Sequence, residues 1–158
     1  FSRLNSSAIR LAEIQSEVIV QAVINFFASE TEARNITFNV GPLPIIRGDQ
    51  ELIRQVWTNL ISNAIKYTGK KSEAIIEIGA ISKEGFTEFF IKDNGAGFNM
   101  KYAEKLFGVF QRLHNSRDFD GIGIGLANVN RIVRRHGGAC KAEGQPDIGA
   151  TFYFSIPD

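Results

Sequence analysis

The sequence is poor in cysteine, proline, tryptophan and methionine, with one, four, one and one of these among its 158 residues. The single cysteine, Cys140, excludes an internal disulfide framework and makes a reducing, cytoplasmic compartment the expectation. Cys140 lies in a segment of alternating apolar and polar residues, so we interpret it as a small buried side chain, not a nucleophile. No internal repeat or low-complexity linker is present.

An excess of charge of one sign is also lacking. The 18 basic and 17 acidic side chains leave a net charge of +1. This balance argues against nucleic acid and against direct contact with an anionic membrane, so any anion site must be local. Hydrophobic residues make up 44% and charged residues 22%, which indicates neither disorder nor a membrane span.

The length predicts one domain, and a chain of this size buries about 68–70% of its unfolded surface. Residues 1–10 have no clean hydrophobic period, and the chain begins with Phe1 instead of Met. We therefore expect residues 1–10 to be the end of an upstream linker or helix, and residues 11–158 to form the folded domain.

Hydrophobic periodicity predicts the secondary structure. Long helices are expected over residues 16–33, with Ser16 as N-cap, and over residues 50–67, with Asp49 as N-cap. Alternation predicts strands near residues 12–15, 36–40 with a bent continuation at 45–46, 74–81, 86–92, 139–143 and 150–156. The hairpin-like pairs favour a two-layer α/β sandwich, with a mixed, mostly antiparallel sheet covered by helices on one face. The alternative, a doubly wound sheet, lacks a strand directly before the glycine-rich segment described next.

Three glycines at alternate positions, Gly121, Gly123 and Gly125, run into an apolar-periodic helix. Glycine permits positive φ and close approach of a ligand, and the first N–H groups of a helix favour an anion. The segment is either a phosphate cradle or a flexible turn before a helix. Its spacing is not that of the dinucleotide-binding fingerprint.

A polar stripe follows one face of the predicted helix over residues 50–67. Gln55, Asn59 and Asn63 follow one another at intervals of four residues, and Lys66 lies three residues further on. The two asparagine amides are either a satisfied structural network or ligands, since an amide oxygen suits Mg²⁺ and a lysine suits a phosphate.

Asp93 ends a predicted strand and enters a turn that contains Gly95 and Gly97. A carboxylate at this point is often a simple turn residue. It can also accept a hydrogen bond from an amino group such as the adenine amine, with the glycines letting a ring lie against the backbone.

Taken together and in order, these segments resemble the motifs of sensor histidine kinases. The N, G1, F, G2 and G3 boxes correspond to NLISNAIKYT (59–68), DNGAGF (93–98), LFGVFQRLH (106–114), GIGIGL (121–126) and GATF (149–152). The sequence is most similar to the phytochrome-like branch. The resemblance implies an ATP-binding domain of the GHKL superfamily with the Bergerat fold, which is shared with DNA gyrase and mismatch-repair ATPases.

The resemblance also implies roles for single residues. Asn63 would hold Mg²⁺, Asn59 and Lys66 would contact metal-bound water or phosphate, and Tyr67 would flank the ATP. Asp93 would bind the adenine amine in the pocket with Gly95, with Gly97 and Thr151 sharing its ordered water. The remaining implied contacts are phosphate-binding N–H groups of Gly121, Gly123, Gly125 and Leu126, a γ-phosphate contact of Arg112, and anchors of an ATP lid over residues 98–121 at Phe107 and Phe110.

Asn59 bears on the reaction. Related hydrolytic ATPases have a glutamate at this position to activate water, and asparagine cannot act as a general base. A neutral imidazole needs little help from a base, so phosphoryl transfer to histidine rests on positioning and charge stabilisation. A nucleotide-binding or docking module without turnover, and a hydrolytic ATPase of the same fold, are the alternatives.

The two histidines, His114 and His136, are not followed by the acidic residue typical of phosphoacceptor motifs. His136 precedes Gly137 at a predicted helix end, where the helix dipole favours a partly charged ring. The resemblance implies that the acceptor histidine lies in a separate dimerisation domain upstream of Phe1 and that a response regulator is an indirect partner. It is compatible with a cytoplasmic domain of a membrane-attached sensor kinase.

Overall fold

The computed structural model describes residues 8–101, 106–107 and 122–158. Within these ranges the helices are α1 (Ser16–Phe26), α2 (Ala28–Thr31), α3 (Gln50–Tyr67) and α4 (Ile122–Arg135). The strands are β1 (Ala12–Gln15), β2 (Ile36–Val40), β3 (Ile45–Gly48), β4 (Ala74–Lys83), β5 (Phe86–Asp93), β6 (Cys140–Gln145) and β7 (Gly149–Pro157).

The main sheet has five strands in the order β2-β4-β5-β7-β6. β2 is parallel to β4, and every other neighbouring pair in this sheet is antiparallel. The predicted two-layer sandwich with a mixed, mostly antiparallel sheet is therefore confirmed. The bent continuation of β2 was wrong, because β3 leaves the main sheet and pairs with β1, with Ile14 opposite Ile46.

The core lies between the main sheet and the helices. Alternate residues of β5 and β7 face inward, and Phe89 and Phe154 stack with their ring centroids 5.0 Å apart. Trp57 of α3 meets these rings edge-on at 5.8 and 5.1 Å, respectively. Aromatic pairs of this geometry contribute about 0.5–1.5 kcal/mol beyond their buried area. This contact holds α3, which carries the candidate ligands, against the sheet.

The start of α3 is fixed by its own sequence. The Asp49 carboxylate accepts a hydrogen bond from the Leu52 N–H at 3.2 Å, as predicted for an N-cap. The cap predicted for α1 was wrong: Ser16 is the first helical residue, and the N-cap, Gln15, makes no capping bond with its side chain. α1 also ends at Phe26 instead of continuing to residue 33.

The end of α3 is held by a residue from outside the helix. The Arg34 guanidinium donates to the carbonyl of Ile65 at 2.9 Å and to the carbonyl of Thr68 at 2.7 Å. Because the last carbonyls of a helix lack partners within it, a cation at this point satisfies them and complements the helix dipole. Arg34 thereby fixes the turn that carries Lys66 and Tyr67.

Replacing Arg34 by alanine should lower the free energy of unfolding by about 2 kcal/mol, because the hydrogen bonds that its charged guanidinium donates to the end of α3 are lost. Urea denaturation measures this change. Arg54→Ala, at an exposed position of α3, is the control and should change stability by less than about 0.5 kcal/mol. Equal effects of the two variants would contradict the capping role.

Candidate functional site

Asn63 is the most informative polar residue of α3. Its side chain is only 4% exposed, yet its amide nitrogen has no hydrogen-bond partner among the described residues. An unsatisfied buried polar group costs about 1–3 kcal/mol, so native proteins rarely retain one without use. The predicted stripe is present, with Asn59 half-buried one turn earlier and Lys66 exposed one turn later. The unpartnered amide indicates a ligand that completes this site.

The first turn of α4 lies directly beside the stripe. A β-carbon at Gly125 would stand 3.8 Å from Oδ1 of Asn59, an ordinary van der Waals distance, so the two helices lie close together at this point. Gly123 and Gly125 are inside the helix, which begins at Ile122. The expected loop with positive φ was therefore wrong at these two positions. Gly123 is the second residue of α4, so its N–H has no partner within the helix and remains available to an anion.

Leu126 differs from the glycines before it. It is fully buried, and as the fifth residue of α4 its N–H has the Ile122 carbonyl as its helical partner. The expected phosphate contact through its N–H stays a prediction. Leu126 fixes α4 in the core.

Asp93 lies at the end of β5 and is 3% exposed. Its Oδ1 accepts a hydrogen bond from the Gly95 N–H at 2.8 Å. Burial raises the pKa of the carboxyl to about 6, while hydrogen bonds from the backbone of Gly95 and Ala150 act in the opposite direction. Asp93 is therefore a preoriented acceptor in a pocket of low polarity.

The turn after Asp93 is clamped between α3 and the β6–β7 hairpin. The Ala96 N–H donates to the Tyr67 carbonyl at 3.1 Å, and the Asp147 N–H donates to the Ala96 carbonyl at 2.7 Å. A β-carbon at Gly95 would overlap the Tyr67 carbonyl, and one at Gly97, whose φ is +65°, would overlap the Gln145 carbonyl. Both glycines are required for this close approach.

Phe152 of β7 is the centre of an aromatic cluster near the end of β5, which carries Asp93. Tyr67 stacks on it with centroids 6.3 Å apart, and Phe98 and Phe107 contact the same ring at 6.2 Å each. Burial raises the pKa of Tyr67, and the nearby Asp93 carboxylate raises it further. The structure thus places Tyr67 and Phe107 beside the candidate adenine pocket.

Thr151 does not join this cluster. In the pairing of β5 with β7, Ala150 lies opposite Asp93 and Thr151 opposite Lys92. Successive side chains of a strand point to opposite faces, so Thr151 faces away from the helices while Ala150 and Phe152 face inward. The prediction that Thr151 shares a water with Asp93 was wrong by one residue, and the backbone N–H of Ala150 reaches the carboxylate instead.

Several predicted residues lie outside the described part of the chain. They are Arg112, Phe110, Gly121 and His114, together with most of the lid expected over residues 98–121. The F-box contribution to the site therefore stays a prediction, apart from Phe107.

His136 differs from the expectation of a partly charged ring. Its Nε2 accepts a hydrogen bond from the Asp49 N–H at 3.0 Å, and its Nδ1 lies 2.9 Å from the Ile132 carbonyl. A nitrogen that accepts from an N–H carries no proton, so the proton is on Nδ1 and the ring is neutral. Specific hydrogen bonds override the dipole here.

Sequence reasoning also missed a polar contact between α3 and α4. Nδ2 of Asn128 donates to Oε1 of Gln55 at 3.4 Å, and Oδ1 of Asn128 is buried without a partner among the described residues. Gln55 is four residues before Asn59 and shares its helix face, which was the available signal. Gln55 was already part of the predicted polar stripe, and the structure adds its partner on α4.

The raised pKa of Asp93 predicts a pH dependence of stability. Between the ordinary value of 3.8 and the folded value of about 6, the folded state binds more protons than the unfolded state. The protonated form therefore favours folding at low pH, and this contribution of about 3 kcal/mol is lost as pH rises through about 6.

We expect the wild type to lose about this amount of unfolding free energy, relative to Asp93→Asn, as pH rises from 4 to 7.5. The asparagine variant does not titrate in this range, so it serves as the reference. Urea denaturation across this range measures the loss. A difference that is independent of pH would contradict the assignment.

Among the described residues, no cluster of three or more His, Cys, Asp or Glu side chains could hold a metal. This does not conflict with Mg²⁺, which takes few protein ligands and shares the rest between water and phosphate. The Asn63 side chain suits such a site, because its Oδ1 can coordinate the cation while its unpartnered Nδ2 can donate to a phosphate oxygen. In the same part of the chain, no helix combines the length and apolar character needed to cross a membrane.

Comparisons with known proteins identify the fold and its relatives. The profile of the histidine kinase-, DNA gyrase B- and HSP90-like ATPases matches residues 48–158. The phytochrome-like protein Cph1 of Synechocystis sp. is 38% identical over 141 residues, which are 89% of this chain and 19% of Cph1. The chain thus spans about a fifth of this relative.

Two solved structures share the architecture. Full-length ShkA, solved with AMPPNP, has a TM-score of 0.78 at 29% identity over 99% of this chain and 33% of its own. The mycobacterial sensor histidine kinase MprB has a TM-score of 0.81 over 92% of this chain and 97% of its own, at an identity of 23% that shows the fold alone. The resemblance inferred from the sequence motifs is thereby confirmed: the chain belongs to the family of histidine kinase-, DNA gyrase B- and HSP90-like ATPases.

Proposed function

We propose that this domain binds Mg-ATP and presents its γ-phosphate to a histidine on a separate dimerisation domain, as the catalytic domain of a two-component sensor histidine kinase. The observation that carries the proposal is the buried, unpartnered Asn63 amide on the helix stripe that faces the first turn of α4. The unpartnered amide N–H₂ and the helix N–H groups can donate to phosphate oxygens, and the carbonyl oxygen of the same amide can coordinate the cation.

The two ends of the site would hold the two ends of the nucleotide. Asp93 accepts from the adenine amine, and the ring lies near Tyr67 and Phe152. The phosphates lie at the first turn of α4, with Lys66 as an additional positive charge. Asn63, assisted by Asn59, would hold Mg²⁺, which when bound neutralises phosphate charge.

The same residues favour transfer over hydrolysis. Asn59 stands beside Gly125 at the phosphate end, where an activated water would be needed, and its carboxamide cannot take a proton. An imidazole nucleophile has a lone pair available without deprotonation. The domain would therefore only have to position the γ-phosphate and stabilise its charge.

The partners follow from this reaction. The nucleophile belongs to the dimerisation domain of the complete kinase, because neither histidine of this chain matches a phosphoacceptor motif. His136 in addition has both ring nitrogens engaged. The phosphoryl group would pass from the dimerisation domain to a response regulator.

Titration calorimetry with ADP, in the presence and absence of Mg²⁺, tests the binding step. We expect saturable binding that Mg²⁺ strengthens. Absence of heat together with an unchanged melting temperature at saturating ADP would refute the proposed nucleotide site. Binding followed by rapid release of inorganic phosphate from ATP would instead identify a hydrolase.

A further inference from the structure

His136 forms a contact between α3 and α4 at the end of α4 that is opposite to Gly123 and Gly125. This residue caps the C-terminus of α4, which ends in a reversal with Gly137 at a φ of +86°. Its neutral ring has both nitrogens in use, with Nδ1 donating to the Ile132 carbonyl and Nε2 accepting from the Asp49 N–H. His136 therefore joins the end of α4 to the start of α3.

Asp49 extends this connection to a third segment. Its carboxylate caps α3 through the Leu52 N–H and also accepts from the Arg10 N–H at 3.0 Å. The Asp49 residue is 2% exposed. The chain that leads into β1, the start of α3 and the end of α4 thus meet at one point.

The two helices also meet near the candidate site, at Asn59 and Gly125. The distance between the two contacts is similar along α3 and along α4. Asp49 and Asn59 are ten residues apart on α3, and Gly125 and His136 are eleven apart on α4. At a rise of 1.5 Å per residue these separations are about 15 and about 16.5 Å, as expected for antiparallel helices in contact at both ends. A shift of α4 at His136 would therefore displace Gly125 from Asn59 by a comparable distance.

We propose that His136 is a positioning residue of the nucleotide site. Its unprotonated Nε2 sets the axial position of α4 on α3, and thereby the separation between the first turn of α4 and the amides of Asn59 and Asn63. This inference rests on the proposed nucleotide function and adds a residue at the far end of both helices to it. No role of the imidazole as a phosphoacceptor is involved.

Substitutions separate the acceptor from the bulk of the ring. His136→Gln retains an acceptor at the reach of Nε2, whereas His136→Phe keeps the ring volume and removes the acceptor. His136→Asn keeps polarity but is too short to reach the Asp49 N–H, so it serves where the phenylalanine variant does not fold. Val23→Ala, which truncates a buried side chain of α1, supplies a destabilised control at a position outside α3 and α4.

We expect His136→Phe and His136→Asn to weaken Mg-ADP binding about tenfold in calorimetry, and His136→Gln to remain within about twofold of the wild type. Val23→Ala should lose stability without losing affinity. Nitrogen NMR of the wild-type ring should show a protonated Nδ1 and an unprotonated Nε2. Rescue by glutamine is the result that a purely space-filling role would not give.

The outcomes distinguish this inference from the proposed function. If the wild type fails to bind Mg-ADP, the nucleotide function is wrong and the role of His136 falls with it. The inference alone is overturned if the wild type binds Mg-ADP and the phenylalanine and asparagine variants bind it equally well. It is also overturned if these variants lose no more affinity than Val23→Ala does. A protonated Nε2 in the wild type would also overturn it.

Discussion

Asn63→Asp should reduce phosphoryl transfer about a hundredfold or more while the domain remains folded. The side chain is 4% exposed and its amide nitrogen has no partner among the described residues, so the substitution places an acidic group in a site that would bind anionic phosphates. Loss of a single preorganised group at a reacting centre typically costs about 10²–10³ in rate. Repulsion between the new carboxylate and the phosphates adds to this loss.

The measurement is the initial rate of transfer from Mg-ATP to a supplied histidine-containing dimerisation domain. Asn39→Asp makes the same chemical change at an exposed position of β2 and should leave the rate unchanged. Asn63→Ala separates loss of the amide from gain of charge and should be less severe than the aspartate variant. Near wild-type transfer by both Asn63 variants would show that this amide does not serve the phosphates.

Asp93→Ala should weaken binding of ADP by about 10- to 100-fold, since a hydrogen bond to a charged acceptor contributes about 1.5–3 kcal/mol. The carboxylate is buried and held by backbone N–H groups, so no neighbouring group can replace it. Asp93→Asn gives the sharper result. An amide can donate as well as accept, so this variant should reduce the preference for ADP over inosine diphosphate, whose base has a carbonyl in place of the amine.

Calorimetry with both nucleotides measures the two effects. Thr151→Val is the control, because the structure turns this side chain to the opposite face of the sheet, and it should leave the affinity unchanged. If Thr151→Val weakened ADP binding as much as Asp93→Ala, the assignment of the two sheet faces would be wrong. An unchanged ADP preference in both Asp93 variants would place the base elsewhere.

Local signals in the sequence were sufficient for the central helix and its neighbouring strands. Asp49 caps α3 as expected, and the helix has the predicted bounds of residues 50–67. Strands β4 and β5 form the predicted hairpin. In these elements capping, periodicity and turn chemistry agree, so tertiary contacts had little to override.

The errors lie where tertiary contacts decide. Serine is a common N-cap residue, but the strand before Ser16 pairs with β3 and leads directly into α1, so Ser16 is already helical. Ile45 and Ile46 looked like a continuation of β2, because apolar alternation does not specify a partner strand. The neutral form of His136 depends on Asp49, 87 positions earlier in the chain, which periodicity cannot reveal.

The candidate site shows the same division. Asn59, Asn63 and Asp93 were each ambiguous alone, and the nucleotide site was predicted from the resemblance of the ordered motifs to sensor histidine kinases. Thr151 was misplaced because a one-residue difference in register exchanges the two faces of a strand. The unpartnered Asn63 amide and the approach of Gly125 to Asn59 are properties of two packed helices, and they became visible only in the structure.

Transfer of radiolabelled γ-phosphate from Mg-ATP tests the central claim most directly. The chain is incubated with a histidine-containing dimerisation domain of a related kinase, and protein label and free phosphate are followed together. We expect label on the dimerisation domain that is stable to alkali and labile to acid, as for phosphohistidine, with little release of free phosphate. Rapid release of phosphate without protein label, or nucleotide binding with neither product, would contradict the proposal that this domain is a histidine kinase catalytic domain.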